Sequence, residues 1–323
     1  MVESALRIVS YNVRYFGHAL RGIASTIGPK RRISAALLTL APLPDIVCLQ
    51  EVETISLRSR VAHRAGHDGE TQLEAFMGRL EAAFQAAETE IPYEAFYFRA
   101  HSYRLGRTPL YTTGLAMLVN MKTLRVDVHN VAAPEHITHH HLKRWKDRKQ
   151  SRICAHMRLA DSHGRHFHVF NTHLSLPTPF VRRFWAQKEK MGHGPNQLHE
   201  ARALTDFVGR RARHEPFIVC GDFNSPPGSP VYDYLTQEGG FVGAQQALGQ
   251  INGGDHREFP TAGFMRMRMH LDHLFAGGHL RWLDLDGTAR FGDVTGRFHG
   301  LSDHVPLIAR FALGKGAREE RLA

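Results

Sequence analysis

Several apolar runs in this chain end in side chains capable of chemistry. "RIVSYN" ends in Asn12, "DIVCLQE" in Glu51, "FHVFNTH" in Asn171 and His173, and "FIVCGDFN" in Asp222 and Asn224. Further on, "HLDH" carries Asp272, and "LSDHVPL" carries Ser302, Asp303 and His304. The set is rich in hard oxygen donors, contains several histidines and has no thiolate. Such donors suit Mg²⁺ or Mn²⁺, which keep waters and bind through a few carboxylates together with substrate phosphate. Histidines beside such an ion would move protons or stabilise phosphate oxygens. Asp222 and Asn224 are two residues apart, so a strand running through both would turn them to the same side.

Each residue also has a plainer reading. Asn12 could cap a turn, Glu51 could be a surface carboxylate, and His173 a satisfied core histidine. Asp272 could pair with Arg281. Ser302 reads as a turn residue bonded to backbone, not as a nucleophile.

Residues of this kind need a rigid frame that brings strand ends together. Short apolar runs predict strands over 7–12, 45–50, 95–100, 114–119, 153–159, 166–172, 217–222, 271–276 and 306–311. Helical spacing predicts helices over 31–40, 71–87 and 197–211. The second of these sets Leu73, Phe76, Met77, Leu80 and Phe84 in one stripe. Strands and helices mix without strict alternation, which points to an α/β sandwich with mixed sheets. No internal repeat or low-complexity linker breaks the chain. One domain is expected over 1–314, with a polar tail over 315–323. Long loops are expected over 132–151 and 177–196.

Composition bounds the partners. The chain has 323 residues, 42% hydrophobic and 22% charged, as in ordinary globular proteins. It has no apolar run of about 18 residues, so no membrane span is expected. No signal peptide is read at the N-terminus, and a cytoplasmic location is expected. Cys48, Cys154 and Cys220 include two set in apolar runs. The odd number, without a CxxC, reads as buried free thiols and not as a disulfide framework or zinc ribbon. Lys and Arg number 41 against 31 Asp and Glu, a net charge of +10 that favours polyanionic partners.

The segments "SYNVR", "LQEV", "NTHLSLP", "GDFNSPPGSP", "HLDHLFAGG" and "LSDHVPLIARF" run in order over residues 10–311. Together they resemble the motif set of the endonuclease/exonuclease/phosphatase superfamily of metal-dependent phosphodiesterases. The resemblance implies a four-layered α/β sandwich, with two mixed β-sheets face to face and helices outside. It implies Glu51 as the main metal ligand, with Asn12 and Asp303 close to the metal. It implies that Asp222 orients or deprotonates the attacking water and that Asn224 holds the phosphate or that water. His304 would contact the scissile phosphate, Asp272 would fix its ring, and His173 would be a second phosphate-contacting or proton-transferring histidine. Two departures set the chain apart from the deoxyribonuclease-like branch. Glu53, not a basic residue, follows Val52, and "YFRAHSYRLGRTPLYTTG" offers no glutamate to orient His173.

Basic segments with aromatics lie between the motifs. "THHHLKRWKDRKQSR" combines six Lys or Arg with Trp145, and Arg144 and Trp145 are candidate contacts to a phosphate backbone and a base. A solvated loop is the alternative, and a metal site on its three adjacent histidines a further one. "TPFVRRFWAQKEK" repeats the theme. "FMRMRMH" places Arg266 and Arg268 just before Asp272, and Asn171 joins them as a candidate substrate contact. The function expected is Mg²⁺- or Mn²⁺-dependent phosphodiester hydrolysis by a nuclease (an endonuclease) acting on DNA and possibly RNA. The rival is a phosphatase or phosphodiesterase for lipid head groups or small phosphate esters. A catalytically silent binding module is disfavoured, because Glu51, Asp222 and His304 are all present. No obligate protein partner is evident.

Overall fold

The computed structural model describes residues 5–16, 27–53, 71–105, 108–138, 151–177, 191–251, 259–264 and 267–314. In chain order the strands are β1 (Ala5–Asn12), β2 (Ile46–Val52), β3 (Tyr93–Leu105), β4 (Thr108–Asn120), β5 (Leu124–His129), β6 (Glu135–His136), β7 (Ile153–Asp161), β8 (His166–His173), β9 (Phe217–Asp222), β10 (Val242–Gly243), β11 (Ala262–Phe264), β12 (Met267–Met269), β13 (Asp272–Gly277), β14 (Leu280–Asp284) and β15 (Leu307–Leu313). The longer helices are α1 (Ile27–Leu38), α2 (Gln72–Ala86) and α3 (Pro195–Ala212).

One sheet has the order β14-β15-β1-β2-β4-β3 and the other β10-β13-β9-β8-β7-β5, with β6 added on β7. Both are mixed, because β1–β2 and β8–β9 run parallel while their other neighbours are antiparallel. Alternation sorts each strand's side chains into different layers. Leu6 and Ile8 of β1 join Cys48, Met117, Val169, Ile218 and Leu274 between the sheets. Val9 and Tyr11 turn the other way, onto Leu37, Phe76 and Leu80 of α1 and α2. On the far side, Phe170, Val219 and Phe275 meet Leu204 and Phe207 of α3. The result is the helix–sheet–sheet–helix sandwich expected. Strands buried on both faces explain why so many runs are continuously apolar.

α2 begins with a reciprocal cap. Glu74 N donates to Thr71 Oγ1 (3.1 Å) and Thr71 N to Glu74 Oε2 (2.7 Å), the pattern of a capping box. Its buried stripe is Leu73, Phe76, Leu80 and Phe84, with Met77 half-buried. All three cysteines are free and buried. No helix among the described residues is long and apolar enough to cross a membrane. Of the two expected loops, 139–150 and 178–190 lie outside the described residues.

Candidate active site

Strand register sets the first row of side chains. His173 of β8 is paired with Asp222 of β9, and Asp222 with Asp272 of β13. Three strand ends of one sheet thus present an imidazole and two carboxylates side by side. Close approach of β8 and β9 depends on Gly221, at φ +147°, where a Cβ would lie 2.0 Å from Thr172 O. The facing sheet supplies Asn12 at the end of β1, beside Gln50 of β2. Glu51 follows in a bulge of the β2–β4 pairing and adopts φ 57°. A bulge re-aims a side chain, and positive φ at a non-glycine residue costs roughly 1–3 kcal/mol, a strain typical of functional sites. Asn224 is held in the same region, at φ 48°. β9 therefore stops at Asp222, and strand alternation does not align the two residues as expected. A turn does, closed by Asn224 N donating to Asp222 Oδ1 (2.9 Å).

Asp222 Oδ2 is the focus of the site. Asn12 Nδ2 donates to it at 3.0 Å, and the Nε2 atoms of His173 and His304 lie at 3.5 and 3.7 Å. Behind His304, Asp272 Oδ2 sits 2.9 Å from Nδ1, and Thr261 Oγ1 donates to the same oxygen at 2.6 Å. The predicted Asp272–His304 pair is thus formed, and Nε2 is the end of the ring turned toward Asp222. Burial opposes a charge on His304, but Asp272 and then Asp222 outweigh it and raise its pKa to about 10. Burial, with Asp272 adding to it, raises Asp222 to about 7 against the pull of His304. His173 goes the other way: burial first, then Arg152 and His304, hold its pKa well below 6.5. Asn224 Nδ2 donates to Leu174 O (3.0 Å) and lies 3.3 Å from His173 Nε2. An amide nitrogen can only donate, so the ring nitrogen facing it carries the lone pair.

Two expectations need correction. Asn171 does not reach the substrate side. It is fully buried, with Nδ2 on Leu49 O and Ala116 O and Oδ1 accepting from Gln50 Nε2 (2.8 Å), so it ties the two sheets together. Asn12 lies beside Glu51 but turns its nitrogen to that carboxylate (3.4 Å), because its oxygen accepts from Arg14 N (2.9 Å). It is a donor to the carboxylates, not an oxygen ligand. The Asp303 carboxylate is held in an ion pair by Arg14. Arg14 sits in a left-handed turn, with Arg14, Tyr15 and Phe16 at φ 41°, 56° and 51°. Arg268 is exposed and stacks over Phe291 at 4.9 Å, while Arg144, Trp145 and Arg266 lie outside the described residues. Sequence reading missed Arg14, Thr261 and Gln50. Gln50 stood next to Glu51 in "LQE", and Thr261 had no motif to mark it.

The donor set fits a divalent cation. Asp222, Asp272 and His304 bring candidate ligand atoms within 4.8 Å of one another. His304, protonated on both nitrogens, has no lone pair to give, and Asp272 is almost fully buried with one oxygen shared by Thr261 and His304, which leaves Asp222 as the best ligand of the three. Glu51 is half-buried, and its Oε1 lies 3.9 Å from His173 Nε2, so it offers an ion an accessible oxygen at the mouth of the site.

The family model for the endonuclease/exonuclease/phosphatase family matches residues 9–304. No curated protein sequence matches the chain. Among solved structures, the human Nocturnin catalytic domain with bound sulfate is similar at 20% identity and TM-score 0.59, covering 96% of each chain. ANGEL2, a 2′,3′-cyclic phosphatase, is similar at 18% identity and TM-score 0.58, again with 96% of each chain covered. A mannosyl-6-phosphatase of Bacteroides thetaiotaomicron is similar at 16% identity and TM-score 0.56, covering 95% of this chain and 99% of that one. At these identities the likeness is one of fold.

Proposed function

The chain belongs to the endonuclease/exonuclease/phosphatase family, whose members are hydrolases acting on phosphate esters, and from this we propose that it is a Mg²⁺- or Mn²⁺-dependent phosphodiesterase cutting nucleic acid internally, DNA or RNA. The observation that carries the reading is the convergence of Asn12, His173 and His304 on one oxygen of Asp222, with Asp272 behind His304. A carboxylate raised to about 7 can accept a proton from water near neutral pH. His304, raised to about 10, stays an imidazolium and offers Nε2–H to a phosphoryl oxygen as negative charge builds there. Asn12 holds Asp222 in place, and Asn224 aligns the attacking water or a phosphate oxygen. His173, kept neutral, is a second proton-transferring or phosphate-contacting group beside Glu51. Glu51 is the carboxylate that would hold the divalent ion, with Asp303 as a second. When bound, the ion neutralises the phosphoryl group and polarises it.

The net charge of +10 favours a polyanionic substrate over a neutral one. The test is turnover of plasmid, single-stranded DNA, RNA, bis-p-nitrophenyl phosphate, a sugar phosphate and a phosphocholine lipid, each with Mg²⁺ and with Mn²⁺. Cleavage of plasmid or RNA well above the small esters supports the reading, and preference for the sugar phosphate or the lipid overturns it. Glu51→Gln should lower turnover by on the order of a hundredfold or more and raise the Mg²⁺ concentration needed, while the fold survives. Wild-type rates for this variant at limiting Mg²⁺ would remove Glu51 from the metal.

A further inference from the structure

Gln72 opens α2 at the head of a row spaced by four, Gln72, Phe76, Leu80 and Phe84, and like the three apolar residues it is buried. A buried amide needs partners for both of its ends. Gln72 finds them on two different loops. Its Oε1 accepts from Glu53 N (2.8 Å), and its Nε2 donates to Tyr15 O (2.8 Å). A main-chain N–H can only donate and a carbonyl can only accept, so both ends of the amide are assigned. The capping box of Thr71 and Glu74 fixes the helix start on which Gln72 sits.

Each bond ends beside a part of the site held in an uncommon backbone conformation. Glu53 lies two residues after Glu51, at φ 57°. Tyr15 is the middle of the left-handed turn Arg14–Phe16. Among the described residues, eight non-glycine residues have positive φ, and four of them (Arg14, Tyr15, Phe16 and Glu51) lie in the two loops that Gln72 joins. Such conformations persist only where the surroundings over-determine them. Phe76, one turn further along α2, adds a second hold by stacking on Phe16, with ring centroids 4.8 Å apart. The turn in its own right aims two groups: Arg14 N donates to Asn12 Oδ1 (2.9 Å), and the Arg14 guanidinium holds Asp303.

We propose that Gln72 is a positioning residue for the cation side of the site: it ties the Glu51 bulge to the Arg14–Phe16 turn and so sets the placement of Glu51 relative to Asp303. This rests on the reading above in which these two carboxylates hold the divalent ion. Gln72 acts through the main chain of residues 15 and 53. Methionine has a similar length but no N–H or carbonyl, so Gln72→Met fills the space and cuts both links. Asparagine keeps the amide but is one carbon shorter.

The experiment measures Mn²⁺ binding to the substrate-free protein by electron paramagnetic resonance, in the parent, Gln72→Met and Asn130→Ala. Asn130 is the control, because its amide also bridges two main-chain groups, donating to Cys154 O (3.1 Å) and accepting from His156 N (2.8 Å), but on β7. The expected result is a Kd for Mn²⁺ raised fivefold or more in Gln72→Met and within twofold of the parent in Asn130→Ala. Amide exchange in the metal-free protein gives a second readout. The N–H groups of Arg14 and Phe16, bonded to Asn12 Oδ1 and Val13 O, should exchange at least tenfold faster in Gln72→Met and at the parent rate in Asn130→Ala. Parent-like Mn²⁺ affinity in Gln72→Met, or equal weakening in both variants, would leave Gln72 a merely structural role and overturn the proposal. Should Gln72→Met not fold, Gln72→Asn carries both comparisons. A parent that binds no Mn²⁺ would sink the metal reading, and exchange at Arg14 and Phe16 would still decide whether Gln72 holds the turn.

Discussion

Asp272 has its Oδ2 within 2.9 Å of His304 Nδ1 and is itself braced by Thr261. The carboxylate thus sets both the orientation of the ring and its charge. Asp272→Asn keeps the shape and removes the charge that raises His304. Its kcat should fall by roughly tenfold to a hundredfold, with a smaller change in KM. His304→Ala should cost more, and the double variant no more than His304→Ala alone, because both changes disable one unit. Multiplicative losses in the double variant would show two independent roles. At this scale the sequence was legible where a residue's type limits its uses. A buried carboxylate near a histidine has few partners, and Asp272 and His304 met as expected. It was not legible where a small rotation decides the outcome. Asn12 ends β1 and Asn171 lies two residues before the end of β8, yet one turns its amide into the site and the other into the space between the sheets.

The outer face of β7 and β8 carries a row of polar groups unrelated to the site. His156 Nε2 and His168 Nδ1 lie 2.8 Å apart, His168 Nε2 lies 2.8 Å from Glu215 Oε2, and Arg158 Nε and Nη2 each donate to Glu215 at 2.8 Å. With His168 kept neutral and giving its Nε2–H to the carboxylate, its Nδ1 accepts from His156 Nε2–H. Burial, then His168, lowers His156 to about 3, and burial lowers His168 as well. The sign follows directly. Between pH 6.5 and about 3 the unfolded chain binds a proton on His156 that the folded chain does not. The stabilisation is complete above about 6.5 and is lost as pH falls through that window. The urea midpoint should therefore drop on acidification from pH 7 to 4.5, and His156→Gln should flatten that drop. A midpoint equally pH-dependent in the variant would remove His156 as the cause. At the level of elements, the nine predicted strands and three helices were legible from apolar runs and helical spacing, because burial on both faces leaves an unbroken apolar signature. β5 and β14 were not: both are short and lie toward a sheet edge, with half-exposed or exposed residues breaking the pattern.

For the whole molecule, charge and topology make separate contributions. The sequence showed a net charge of +10 without showing where it gathers. If nucleic acid is the substrate, log affinity should fall steeply with log salt, since each neutralised phosphate releases counterions. Neutralising Arg144, Lys146 and Arg148 together should lower that slope by about 2 to 3, at roughly 0.7–0.9 per phosphate contact. Hydrolysis of a small chromogenic diester should fall far less. An unchanged slope would take this segment off the binding surface, and a parent without salt dependence would favour small esters. The layered architecture was legible from the mixture of strands and helices and from the motif order. The topology was not, because which strands become neighbours is set by pairing between residues as distant as Ala5 and Ala312, and no local pattern encodes it.

That pairing fixes the order in which a growing chain can become active. β1 lies between β15 and β2, so one flank of an early-made strand stays open until a late-made one arrives. Asn12, Glu51, His173, Asp222 and Asp272 all leave the ribosome before Asp303 and His304. Until the "LSDHVPL" segment docks, Asp222 lacks the imidazolium that faces it, and the sheet beneath Asn12 is incomplete. On the roles proposed above, a nascent chain that lacks this segment would lack turnover. Closing the sheet and completing the site wait on the same late segment.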